Sequence, residues 1–200
     1  MYSVFFVPLS PLRITGYVSL LAACLGFNST PCFAQPIFLT VSSTPYDRQM
    51  IPVLRVLHFP VARRTGQTSV TIVNEWMFNL RAIPYQYSSQ WKTPAEVNCA
   101  LVADCKGKAV MLYVKMRANG ATGVRFIIGK HQVADLKTHA WLEWNTTSGT
   151  YVLDPTFNSA VERTEEHDPA TYIARYAYNG SRKYRARYYR SYHGAAVAQN

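Results

Sequence analysis

An α+β domain is what this sequence predicts, with helices in the first half of the folded region and strands in the second. Three observations carry that reading. An apolar stripe at helical spacing runs over 70–83, helix-start signatures stand at Thr93 and Asp104, and strand-like runs separated by turn residues follow Gly120. The chain has 200 residues, enough for one domain with a real core plus extensions, and a formal net charge of +10.

Arg13 precedes an apolar stretch from Ile14 to Phe27 that reads as an export signal. The stretch is shorter than the about 20 apolar residues a membrane-spanning helix needs. Cys32-Phe33-Ala34 before Gln35 suits an ordinary signal peptidase, whereas Leu21-Ala22-Ala23-Cys24 resembles a bacterial lipobox that would put a lipid on Cys24. The expected product is a soluble periplasmic or secreted protein beginning near Gln35, with residues 1–34 as the signal. It would be membrane-bound only if Cys24 is lipidated. Residues 35–67 mix strand-like patches with turns and carry Arg48, Arg55, Arg63 and Arg64, with no recognisable chemistry.

The domain proper is expected over 68–170. Val70, Val73, Trp76, Met77 and Leu80 form the core face of a helix from Val70 to Ile83. Thr93-Pro94-Ala95-Glu96 is a capping box with proline at the first helical position, predicting a short helix toward Val102. Cys99 on that helix is expected to be buried. Asp104 is a natural N-cap for the run ending in Asn119-Gly120, which places Cys105 in the first helical turn. There the unpaired backbone N–H groups and the helix dipole favour a thiolate, and Lys106 and Lys108 add positive charge. The same N–H groups could donate to an oxyanion.

Val124–Ile128, His139–Trp144 and Thr150–Leu153 read as strands, the last two joined by the turn-rich stretch from Asn145 to Gly149. A turn centred near Thr146–Thr147 sets His139 almost opposite Asp154, with Cβ atoms about 4.5–5.5 Å apart. A carboxylate there could hold the imidazole N–H. Singly, a helical cysteine, a histidine at a strand start and an Asp-Pro turn are ordinary features. Together Cys105, His139 and Asp154 supply a nucleophile, a base and the group that fixes the base's tautomer.

The run Asp104-Cys105-Lys106-Gly107-Lys108-Ala109, then His139-Ala140-Trp141-Leu142-Glu143, then Val152-Leu153-Asp154-Pro155-Thr156 resembles the transglutaminase-like superfamily, closest to the bacterial transglutaminase-like cysteine proteinases. Val73-Asn74 through Asn79 and Tyr85, and Trp91-Lys92-Thr93-Pro94-Ala95-Glu96, extend the likeness over roughly residues 68 to 157. The resemblance implies a papain-like core, helices packed on an antiparallel sheet, with Cys105 as nucleophile, His139 as base and Asp154 as orienter. It implies a cysteine peptidase acting on protein or peptide substrates, with peptide bonds of envelope or surface proteins as the expected target. A transglutaminase or glutamine deamidase, and a non-catalytic binding domain, are the alternatives. The proteinase branch carries acidic residues directly after the cysteine that help hold calcium. Here those places are Lys106, Gly107 and Lys108, so neither a metal nor any other cofactor is expected.

Trp91 would wall the cleft, help an oxyanion or simply pack. A disulfide between Cys99 and Cys105 would silence the nucleophile, and is the less favoured reading of the pair. From Tyr172 to Tyr192 the chain holds seven tyrosines and six Lys/Arg and no acidic residue. This basic segment, within 171–200, is either a final element packed by its tyrosines or a surface for an anionic envelope polymer. Export argues against nucleic acid as a partner.

Overall fold

The computed structural model describes residues 35–58, 68–168, 170–192 and 195–198. The expected signal, Cys24, Cys32, Arg63 and Arg64 lie outside them. In chain order the elements are β1 (Ile37–Val41), α1 (Ile51–Leu57), α2 (Val70–Arg81), α3 (Pro94–Ala100), α4 (Cys105–Ala118), β2 (Val124–Gln132), β3 (His139–Thr146), β4 (Gly149–Leu153), β5 (Glu162–Arg163), β6 (Thr171–Asn179), β7 (Arg182–Arg187), β8 (Tyr189–Tyr192) and β9 (Ala195–Ala198). The first seven strands form one sheet in the order β1-β7-β6-β2-β3-β4-β5, every pair antiparallel. β8 and β9 pair with each other. None of the described helices is long and apolar enough to cross a membrane.

The helices lie on one face of this sheet. Ser69 caps α2 through Ile72 N–H, and Val73, Trp76, Met77 and Leu80 are buried as their spacing requires. Thr93 and Glu96 form the capping box of α3, which ends at Leu101 in the left-handed region rather than at Val102. α4 packs across β2 and β3, and Ala109, Val110, Leu112, Tyr113 and Met116 meet Phe126, Ile128, Ala140, Leu142 and Trp144 in the main core. Burying each large side chain there contributes about 1.5–3 kcal/mol.

Residues without a sequence motif complete the core. Met50, Val53 and Leu57 of the α1 region are fully buried, and β1 closes one sheet edge against β7. The basic segment enters the sheet as β6 and β7. Tyr178 is buried, its hydroxyl bonded to Thr44 Oγ1, and Lys183 pairs with Asp47 at 2.6 Å. Arg175, Arg182 and Arg185 remain exposed. Cys99 is exposed, contrary to expectation, because Val97 alone of the short α3 is turned inward.

Between β2 and β6 the ladder slips at Ile128/Gly129, so that Gly129 lies opposite Ala174 on one side and His139 on the other. A Cβ on Gly129 would stand 2.1 Å from the Ile173 carbonyl oxygen and 2.7 Å from Trp141 Cη2. The bulge can approach β2 only if residue 129 has no side chain. Gly129→Ala is expected to destabilise the domain by about 2–3 kcal/mol, lowering the melting temperature measured by circular dichroism. An unchanged melting temperature would contradict the close packing.

Candidate active site

The Asp104 Oδ1 atom accepts Gly107 N–H at 3.0 Å, so Asp104 is the N-cap of α4 and Cys105 its first residue. The thiol residue is buried. A Cβ on Gly107 would sit 3.1 Å from Val97 Cγ2, so glycine in the first turn lets α3 lie close behind the nucleophile. Tyr85 stands beside it on the segment between α2 and α3. Its phenol pKa is raised by burial first and then by the charge of Cys105. Trp91 is buried, with its ring 5.8 Å from that of Phe126, so it packs as a wall behind the site.

His139 Nε2 donates to Asp154 Oδ2 at 2.6 Å, with both groups buried. Cys105 lies near enough to act on the same imidazole, since Asp154 and Cys105 both raise its pKa. Burial alone would lower that pKa, but the bonds to Asp154 and Cys105 outweigh it and raise it to about 9. The structure therefore brings Cys105, His139 and Asp154 together.

It does so through a different hairpin register. Thr146 pairs with Gly149 and Leu142 with Leu153, so the turn centres on Thr147–Ser148, one residue beyond the expected place. Ser148 N–H bonds to Thr146 Oγ1 at 3.1 Å, and Gly149 follows with a φ of +126°, which fixes the turn there. Continued past Leu153, this register sets Asp154 against Trp141, two residues from His139. A slip of two residues keeps the side chain on the same face of the sheet, where a slip of one would turn it away. The carboxylate reaches the imidazole diagonally instead of directly.

Asp154 is wholly buried, and its other contacts explain how an ionised group is tolerated there. Thr156 N–H donates to Oδ1 at 2.9 Å, and the Tyr172 hydroxyl donates to Oδ2 at 3.2 Å. Asn158 Nδ2 in turn donates to the Tyr172 hydroxyl oxygen at 3.1 Å. Tyr172 holds a φ of +51°, a conformation that costs a non-glycine residue about 1 kcal/mol or more. Burial and the Asp154 charge raise its pKa well above the ordinary phenol range, so it remains a donor.

Sequence reasoning missed Tyr172, because nothing in Thr171-Tyr172-Ile173 marks a left-handed residue or its target. It also missed His131 and Phe157. The Phe157 ring lies 5.0 Å from that of His139, and His131 lies 4.5 Å from Phe157 and 4.9 Å from Tyr172. The position of Phe157, three residues after Asp154, was the one available signal. Burial and then the charge of His139 lower the His131 pKa, which keeps this second imidazole neutral beside the first.

The lysines that follow Cys105 turn away from the thiol's chemistry. Lys108 is buried, and its ammonium donates to the Arg81 carbonyl at 3.2 Å, capping the C-terminal end of α2. Burial, then the Arg81 charge, lowers its pKa. Lys106 bonds Asp104 Oδ2 and the Ser88 carbonyl.

No family model matches the chain, and no curated protein does. Among solved structures it is similar to LapG of Legionella pneumophila, a transglutaminase-like cysteine protease. The calcium-bound LapG superposes with a TM-score of 0.52 at 17% identity, over 66% of this chain and 74% of that one. The EGTA-treated LapG gives 0.52 at 16% identity, over 74% and 77%. The chain shares with LapG an α+β fold of helices packed on an antiparallel sheet. At this identity the likeness shows the architecture, and the chemistry must be argued from the residues.

Calcium does not fit the residues at the start of α4. Asp104 Oδ1 is taken by Gly107 N–H, Oδ2 by Lys106 Nζ and Ser88 N–H, and two of the next four residues are cationic. Among the described residues no three His, Cys, Asp or Glu side chains converge to hold a metal ion.

The Asp154 pair makes a signed contribution to stability. His139 is charged in the folded state up to about pH 9 and has an ordinary value of 6.5, so the pair's contribution is complete below pH 6.5 and is lost as pH rises through 9. The melting-temperature difference between wild type and Asp154→Asn should therefore be largest near pH 6 and shrink toward pH 9. A difference that grows with pH would contradict this assignment of charge. Tyr172→Phe should keep the fold and move the His139 titration upward, because Asp154 Oδ2 loses its competing donor. A His139 titration left in place would make Tyr172 a packing residue only.

Proposed function

We propose that this chain is an exported cysteine-dependent acyl-transfer enzyme, a peptidase cleaving amide bonds of protein or peptide substrates through Cys105, His139 and Asp154. The observation that carries the reading is the buried 2.6 Å bond from His139 Nε2 to Asp154 Oδ2, with Cys105 near enough to raise the pKa of the same ring. That arrangement commits Nε2 to Asp154, favours the imidazolium and leaves Nδ1 as the nitrogen that would serve the sulfur. The likeness to a cysteine protease supports the reading at the level of fold. Export rests on the apolar stretch after Arg13, and the compartment would be the periplasm or the exterior.

In this mechanism the Cys105 thiolate attacks the amide carbonyl carbon, and the electron pair of the C=O bond moves to oxygen. The backbone N–H groups at the start of α4 face the resulting oxyanion, with that of Gly107 already spent on Asp104. Collapse breaks the C–N bond, and imidazolium His139 gives its proton to the leaving amine. Neutral His139 then takes a proton from water as its oxygen attacks the thioester. The acid departs and the thiolate–imidazolium pair is restored. Asp154 orients the ring through Nε2 throughout.

The test is incubation of the purified chain with an unfolded protein and a primary amine, followed by mass spectrometry. New peptide termini in wild type, lost by at least about a thousandfold in Cys105→Ala and His139→Ala, are the expected result. Amine incorporated at glutamine side chains with no new termini would make it a transglutaminase, and glutamate at those positions a deamidase. No Cys105-dependent product at all would overturn the enzymatic reading in favour of a binding domain.

A further inference from the structure

We propose that Lys106 is an internal cation that locks the 84–91 segment onto the start of α4, so that the seat of the Cys105 thiol assembles without a divalent metal. The inference rests on the catalytic reading only for what that seat is used for.

Asp104 is buried, and a buried carboxylate needs compensating charge as well as donors. Lys106, two residues along, provides both. Its ammonium binds Asp104 Oδ2 and donates to the Ser88 carbonyl oxygen at 2.8 Å. Ser88 N–H donates to the same Oδ2 at 3.2 Å, so ammonium, carboxylate and the Ser88 backbone form a closed set. The ammonium also lies 5.4 Å from the Tyr87 ring centre and 5.8 Å from that of Trp91, within cation–π reach of both.

Backbone bonds extend the lock. Gln86 N–H donates to the Ala103 carbonyl at 3.1 Å, and Ala103 N–H to the Pro84 carbonyl at 3.1 Å. The backbone of residues 84–86 is thereby fixed against the residue two before the nucleophile. In chemical terms Lys106 does what a bound cation does, joining a carboxylate on one segment to a carbonyl on another. A calcium ion needs about six to eight oxygen ligands. Here the carboxylate and the carbonyl are already occupied by a charge tethered to the chain, and a metal would have to displace it.

The experiment compares the full chain as wild type, Lys106→Met and Lys106→Arg in calcium chloride and in EGTA, reading the melting temperature and the rate of Cys105 alkylation by iodoacetamide. Wild type should show the same melting temperature and the same rate, within about twofold, in both solutions. Lys106→Met should alkylate with a rate altered by about tenfold, and Lys106→Arg should lie nearer wild type. A melting temperature raised by calcium in wild type, or a Lys106→Met rate equal to wild type, would overturn the proposal. If Lys106→Met does not fold, the calcium arm of the wild type decides alone. Failure of the catalytic reading is separate: wild-type alkylation would then be indifferent to His139→Ala, while the melting comparison still reports on Lys106.

Discussion

A carboxylate with no solvent exposure is the constraint around which the site is organised. A carboxyl group buried this fully needs donors on its oxygens, and His139, Tyr172 and Thr156 supply them to Asp154. Removing one partner from a buried charged pair costs about 3–5 kcal/mol, more than any single surface contact supplies. That cost explains why β4 must end where it does, and why Tyr172 is held in an unfavourable backbone conformation. The charge has a second consequence: it holds the His139 imidazole protonated in surroundings that would otherwise discharge it.

The thiol is delivered by different means. A helix start offers backbone donors and a favourable dipole, and Asp104 fixes where α4 begins. A second carboxylate is therefore buried within the same site and needs its own compensation, which Lys106 provides. The site thus contains two carboxylates, each matched to one cation. His139 serves Asp154 on the acid–base side, and Lys106 serves Asp104 on the nucleophile side. Gly129 lets the bulged β6 lie close against β2 next to His139, and Gly107 lets α3 lie close behind the first turn of α4.

Much of this could be read from the residues. The capping box at Thr93, the N-cap at Asp104 and the apolar stripe of α2 are local signals, and each element forms where its signal stands. The partnership of His139 and Asp154 was legible from spacing even though the hairpin turns one residue later, because the resulting shift of two preserves the face. What was not legible depends on distant packing. Residues 37–57 supply an edge strand and a core helix without any motif, since their partners are more than a hundred residues away in β7 or lie on α4. Tyr172 is placed by the Gly129 bulge and the turn after β4, and no single stretch of sequence contains that information. The tyrosine-rich end admits two readings in sequence, a final element packed by its tyrosines or a surface for an anionic polymer. Half of its character is internal, as Tyr178 and Lys183 tie the sheet to Thr44 and Asp47.

His139 is a buried imidazolium held by Asp154 and acted on by Cys105. This is tested most directly by following the His139 ring protons by nuclear magnetic resonance across pH, with His139→Ala used for assignment. A midpoint near 9 is expected. A midpoint at or below the ordinary value of about 6.5 would mean that burial prevails over the Asp154 bond, and would contradict the account.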